Sequence, residues 1–248
     1  MLTPTEEDAV IFDSHTHIGD YPGFNVSLDR DGLAALMRDN GLERLCVFAP
    51  DNREVQRCVR SIEGTHGLVW ANPRLPGNIE DSIALLDEPE FLGVKLHPLI
   101  DGFHPNDPAL RPLMEVVSER RLPVLVHTGH PIFTEPWSVE ELAAEYPDAK
   151  VIFGHMGHGN VIYINASIDI ARRRPNVYLE TSGMPMHTKI REAYELVGPT
   201  RVMYGSDAPF HHPAVEILKV RLSGLDDAGV ERVLHTNAME LFLPGAAA

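Results

Sequence analysis

The segment Asp13-Ser14-His15-Thr16-His17 carries two histidines separated by one residue. An extended strand has a side-chain period of two, so both imidazoles face the same side and can chelate one ion. The pair alone has an equally good structural explanation, two polar residues where a strand meets its loop. Three later apolar runs change the balance, because each stops on an ionisable residue: Val124-Leu125-Val126 on His127, Ile152-Phe153-Gly154 on His155, and Tyr204-Gly205-Ser206 on Asp207. Burying four imidazoles and a carboxylate around one rim is costly unless a metal ion pairs with them. Three protein nitrogens and one carboxylate leave room for a water on a zinc-like ion, whose pKa would fall from about 15.7 to about 7. Asp207 is also suited to take up that water's proton.

The run Gly93-Val94-Lys95-Leu96-His97-Pro98 puts Lys95 and His97 on one strand face, directed inward. Lys95 has two readings: a cation that holds Asp13 or a substrate carboxylate, and a carboxylated lysine that bridges two metal ions. His97 is a candidate for substrate binding. His130 and His158 each follow a candidate site histidine by three residues and are candidates for substrate contact. His104, His187, His211 and His212 read as solvated or loop-packing residues, and His66 and His235 receive no role. Arg53 and Arg74 follow the second and third apolar runs, where either can grip a substrate carboxylate bidentately or form a surface salt bridge. Cys46 and Cys58 have no CxxC spacing and read as inert thiols.

Eight apolar runs rich in Val, Ile and Phe must position these groups: 10–14, 44–49, 68–72, 92–97, 123–128, 150–155, 176–181 and 201–207. Between them lie segments of helical spacing, including 28–40 closed by Gly41, 107–121, 138–146 and 160–174. Strands alternating with helices predict a parallel sheet. No GxGxxG follows the first run, and the polar residues gather at the ends of several strands, which a closed (β/α)8 barrel of TIM type explains better than an open sheet. The stretch 226–242 reads as two short helices, with Asn237 near the start of the second, packed across the barrel. A tail follows from Pro244.

A chain of 248 residues, with 44% hydrophobic and 23% charged residues, suits one such barrel spanning 1–248. Lys and Arg total 21 against 36 Asp and Glu, a net charge of -15 that repels polyanions and argues against nucleic acid as a partner. Residues 1–10 lack the basic start and apolar run of a signal peptide, and no later stretch suits a membrane span, so a cytoplasmic protein without a membrane partner is expected.

With these residues in place, the sequence resembles the amidohydrolase superfamily, in particular the amidohydrolase-2 branch that holds aminocarboxymuconate-semialdehyde decarboxylase. The resemblance covers nearly the whole chain through DSHTHIG at 13–19, GVKLHP at 93–98, VLVHTG at 124–129, VIFGHMG at 151–157, YGSDAPF at 204–210 and the closing Asn237-Ala238 with Leu241-Phe242. It implies His15, His17, His127 and Asp207 as metal ligands. His155 then either polarises a substrate carbonyl or binds a second metal. Related two-metal barrels carry a carboxylate or a carboxylated lysine on the fourth strand; this chain offers Lys95, so one ion is the default and two require Lys95 to be carboxylated. Zinc is the expected ion, with manganese or iron as alternatives.

The first expectation is hydrolysis of an amide, lactone or ester of a small molecule, with Asp207 and His155 as catalytic residues. The second is decarboxylation or hydration of an unsaturated or aromatic acid at the same metal. A TatD-like nuclease shares the ligand pattern, but the acidic charge opposes it. A barrel without catalysis would be expected to have lost ligands, and all five positions are filled. A homodimer is the expected assembly.

Overall fold

A computed structural model describes residues 10–245 of the chain. The expectations for residues 1–9 and for the tail at 246–248 lie outside the described residues. Counting the barrel strands alone, β1 is Ile11–His17, β2 Leu42–Phe48, β3 Thr65–Trp70, β4 Phe91–Leu96, β5 Pro123–His127, β6 Lys150–Gly154, β7 Val177–Glu180 and β8 Val202–Met203. Each pairs in parallel with the next, and the sheet runs in chain order from β1 to β8. The stretch after β8 closes the ring onto β1, with a parallel bridge between Thr16 and Ala208 and a hydrogen bond from Asp207 N to His15 O of 2.7 Å. This is the eight-stranded barrel that the alternating runs predict, with helices between successive strands.

The helices start and stop where local chemistry dictates. Asp29 accepts from Gly32 N at the head of helix Arg30–Asn40, and Gly41 ends it at φ 66, a left-handed conformation that costs glycine little. The expected start at Leu28 is displaced because Val26–Leu28 pairs with Gly19–Tyr21 in a small antiparallel ribbon. Asp107 caps a 3-10 turn, Pro108–Leu110, that leads into helix Arg111–Glu119. Asn160 caps Val161–Arg173, whose Ile164, Ile168 and Ala171 recur at helical spacing and are buried.

Two apolar layers result. The outer one lies between sheet and helices, and the inner one fills the barrel with Phe12, Cys46, Phe48, Leu68, Trp70, Leu125, Ile152 and Met203. The C-terminal segment is continuous rather than two separate helices: Asp227–Glu231 passes through a π turn, Arg232–Thr236, into Asn237–Phe242. Its Ala238, Met239, Leu241 and Phe242 join the inner layer, with the Phe242 ring stacked 5.8 Å from Phe12. Asn237 Nδ2 donates to Pro199 O and Val202 O, fixing this segment to β8. Among the described residues, no helix is long and apolar enough to cross a membrane.

Strand β1 is not regular. Its register with β2 shifts between Asp13 and Thr16, which changes the side-chain parity. Phe12 therefore points into the barrel together with His15 and His17, although a strict period of two would put Phe12 and His15 on opposite faces. Asp13 Oδ1 holds the irregularity by accepting from His15 N at 3.0 Å and Ser206 N at 2.8 Å.

Candidate metal centre

The ends of β1, β5 and β6 and the stretch after β8 converge on the C-terminal mouth of the barrel. Asp207 Oδ1 lies 3.3 Å from His15 Nε2 and 3.1 Å from His17 Nε2. Donor atoms of His15, His155 and Asp207 all fall within 4.8 Å of one another, and all three residues are buried. Asp207 and His155 reach inward from left-handed backbone, at φ 58 and 66, and their neighbours Met156 and His158 also have positive φ, at 33 and 52. For residues with a Cβ such conformations cost roughly 1 kcal/mol or more each, and they concentrate here at one mouth.

Proton placement tests whether a metal suits these donors. Glu180 Oε2 lies 2.7 Å from His15 Nδ1, so that nitrogen donates; His15 Nε2, facing Asp207, carries a proton in the metal-free protein and a lone pair when a metal ion replaces that proton. The Tyr21 hydroxyl donates to Ile18 O and accepts from His17 Nδ1 at 3.2 Å, so His17 Nε2 is also a lone pair facing Asp207. Ser182 Oγ donates to Glu180 and accepts from His155 Nδ1 at 2.9 Å, which leaves His155 Nε2 as a third. Once the His15 proton leaves, three nitrogen lone pairs beside a carboxylate repel one another unless a cation lies among them, and a divalent ion fits.

Charge states follow the same balance. Burial raises Asp207, but His15, His155 and His17 outweigh it and hold the carboxyl well below its usual range. Burial and the Lys95 ammonium lower His15, yet Glu180 and Asp207 prevail and leave it raised. Burial pulls His17 down to about 4 and His97, His127 and His155 well below the ordinary range. Burial also lowers Lys95 to about 8, against the pull of Asp207 and Glu180.

The other candidate residues divide. His127 is buried beside the centre, but its Nδ1 lies 3.0 Å from His155 Nε2 and its Nε2 3.0 Å from His130 Nδ1, so both nitrogens face imidazoles. His97 stacks between Trp70 and His127, with ring centroids at 5.5 and 4.1 Å, and His158 packs at a tilt against His130 at 4.3 Å. Lys95 is fully buried, with Nζ 3.2 Å from His15 Nε2. Its expected hold on Asp13 is not formed, because Asp13 turns to the backbone amides of His15 and Ser206. The structure does not bring the two arginines into the cluster. Arg53 is exposed at the first turn of helix Asn52–Ser61, and Arg74 is held at the surface by Asp107 at 2.5 Å and by Gly102 O.

Glu180 is the residue that sequence reasoning missed. It is fully buried at the end of β7 and accepts from the His15 ring, His155 N, Ser182 N and Ser182 Oγ. Its signal was the same as that of His127 and His155, an ionisable residue closing an apolar run.

The family model described as Amidohydrolase matches residues 20–243. The chain belongs to the amidohydrolase family. The match begins just beyond His17, so the first two histidines stand outside it. Solved structures similar to this amidohydrolase include an uncharacterised TIM-barrel protein from Bordetella bronchiseptica, at 18% identity and TM-score 0.78, covering 94% of this chain and 98% of that one. A 2,6-dihydroxybenzoate decarboxylase complexed with 2,6-dihydroxybenzoate matches at 17% identity and TM-score 0.74, with 94% and 98% covered. A dihydroxybenzoic acid decarboxylase from a Polaromonas species, with bound manganese and 2-nitroresorcinol, matches at 15% and 0.72, with 94% and 96% covered. A comparison with curated proteins found no match.

Aromatic rings surround His17 in this amidohydrolase, Phe48 and Trp70 from the buried inner layer and Tyr21 and Phe210 from nearer the surface. Around His17 stand Phe48 at 4.5 Å, Phe210 at 4.9 Å, Tyr21 at 5.4 Å and Trp70 at 6.0 Å between centroids. Phe24 of the ribbon packs edge-on against Phe210 at 5.2 Å.

Proposed function

We propose that this amidohydrolase is a metal-dependent decarboxylase of a small aromatic or unsaturated carboxylic acid. The observation that carries the reading is the aromatic wall around the lone-pair cluster, since flat rings at 4.5–6.0 Å from His17 suit a flat conjugated substrate. The fold it shares with two dihydroxybenzoate decarboxylases supports the same class. His15, His155 and Asp207 would hold one divalent ion, with His17 and His127 as adjacent ligands, and zinc, manganese and iron all suit imidazole with carboxylate. When bound, the ion supplies Lewis acidity toward an anionic oxygen of the substrate.

The residues of the chain do the rest. Phe210, Tyr21 and Phe24, the rings of this group that reach the surface, orient the flat acid and exclude water, while Phe48 and Trp70 hold His17 from the buried inner layer. The bond from the carboxyl carbon to the neighbouring carbon breaks, its electron pair stays on that neighbouring carbon, and carbon dioxide leaves. Asp207, with His155 beside it, takes a proton from a water or a substrate hydroxyl and delivers it to the carbon that the carboxyl group leaves. His97, His130 and His158 border the substrate as hydrogen-bonding groups.

Supplying metal-loaded protein with 2,6-dihydroxybenzoate and related hydroxybenzoates tests the reading by carbon dioxide release. Asp207→Asn is expected to abolish release while the circular dichroism spectrum is retained. Cleavage of a lactone, ester or amide panel without any carbon dioxide release would replace this reading with hydrolysis.

A further inference from the structure

Lys95 is a fully buried ammonium with few partners. Its Nζ meets His15 Nε2 at 3.2 Å and lies 4.6 Å above the centroid of the Phe48 ring, and among the described residues no carboxylate pairs with it within 4.0 Å. A lone pair, which His15 Nε2 presents once its proton has left, and a π face are both groups that attract cations. The cluster it touches through His15 also holds His17, His127, His155, Asp207 and Glu180, more nitrogen and oxygen donors than one ion needs. An ion that takes the His15 Nε2 lone pair displaces this Lys95 contact and leaves the ammonium beside it.

We propose that Lys95 is the resident second cation of this centre, and that its ammonium restricts the donor cluster to a single divalent ion. The inference rests on the metal-dependent reading above. A second divalent ion would have to share the small buried space with a fixed positive charge, and like charges at this range in a low-dielectric site repel strongly. The N–H of Lys95 that faces neither His15 nor the Phe48 ring remains to bind an anionic oxygen of the substrate.

Metal stoichiometry and affinity decide the matter without any assay of turnover. Wild-type protein stripped by a chelator and dialysed against Mn2+ is expected to take up one equivalent. Lys95→Met is expected to bind that ion at least about tenfold more tightly, because a repelling charge has gone. Lys95→Glu is expected to take up a second equivalent. Two equivalents in the wild type would overturn the inference, as would Mn2+ binding in Lys95→Met that is unchanged or weaker. A wild type that binds no Mn2+ or Zn2+ would sink the metal-dependent reading itself. If Lys95→Glu does not fold, Lys95→Met, which is neutral and of similar length, still decides.

Discussion

At the scale of single residues, one carboxylate that no ligand pattern contains governs the geometry of the centre. Glu180 fixes the His15 tautomer and, through Ser182, that of His155. Such supporting groups orient ligands and raise their basicity. Glu180→Gln is therefore expected to weaken metal affinity by about 10- to 100-fold while leaving the fold intact, as read by metal titration and circular dichroism. The space beside it is tight: a Cβ at Gly205 would overlap Glu180 Oε1 and lie 2.6 Å from His15 Cβ. This explains why glycine precedes Ser206 and Asp207.

At the scale of elements, the irregularity in β1 decides which side chains reach the mouth. Asp13 sustains it with one oxygen on two backbone amides, while its Oδ2 has no partner and burial raises its carboxyl to about 6. Asp13→Ala leaves both buried N–H groups unpaired, and a loss of about 2–4 kcal/mol in urea unfolding is expected, with metal binding impaired. A regular β1 without the bulge would predict little change in either. The pattern HxH was legible in the sequence, and so was the helix stop at Gly41. The bulge was not, because it depends on Ser206, 193 residues away in the chain.

At the scale of the whole molecule, the two ends of the barrel divide their tasks. Phe242 closes the end opposite the mouth against Phe12, so Phe242→Ala is expected to cost about 3–5 kcal/mol in denaturant unfolding with metal stoichiometry unchanged. The histidines give the metal-free protein its response to acid. His17, His66 and His158 are lowered by burial to about 4 from an ordinary 6.5, and His97, His127 and His155 lie well below the ordinary value. Between these values the unfolded chain binds more protons than the folded one, so stability falls as pH drops from 6.5 toward 4. Asp13 and His15, both raised, act in the opposite direction but are outnumbered. Urea midpoints of metal-free protein across that window check the sign, and midpoints that rise on acidification would contradict it.

The sequence by itself determined the barrel and the positions that feed its mouth, because strand period, helix caps and the residue that ends each apolar run are local properties. Which groups would meet was decided only by tertiary structure. Glu180 reaches His15 across 165 residues, Lys95 reaches it across 80 and leaves Asp13 alone, and Arg74 turns to Asp107, 33 residues on, rather than into the centre. Closure of the sheet sets those distances, and charges buried together settle their own pairing there. No local pattern records either.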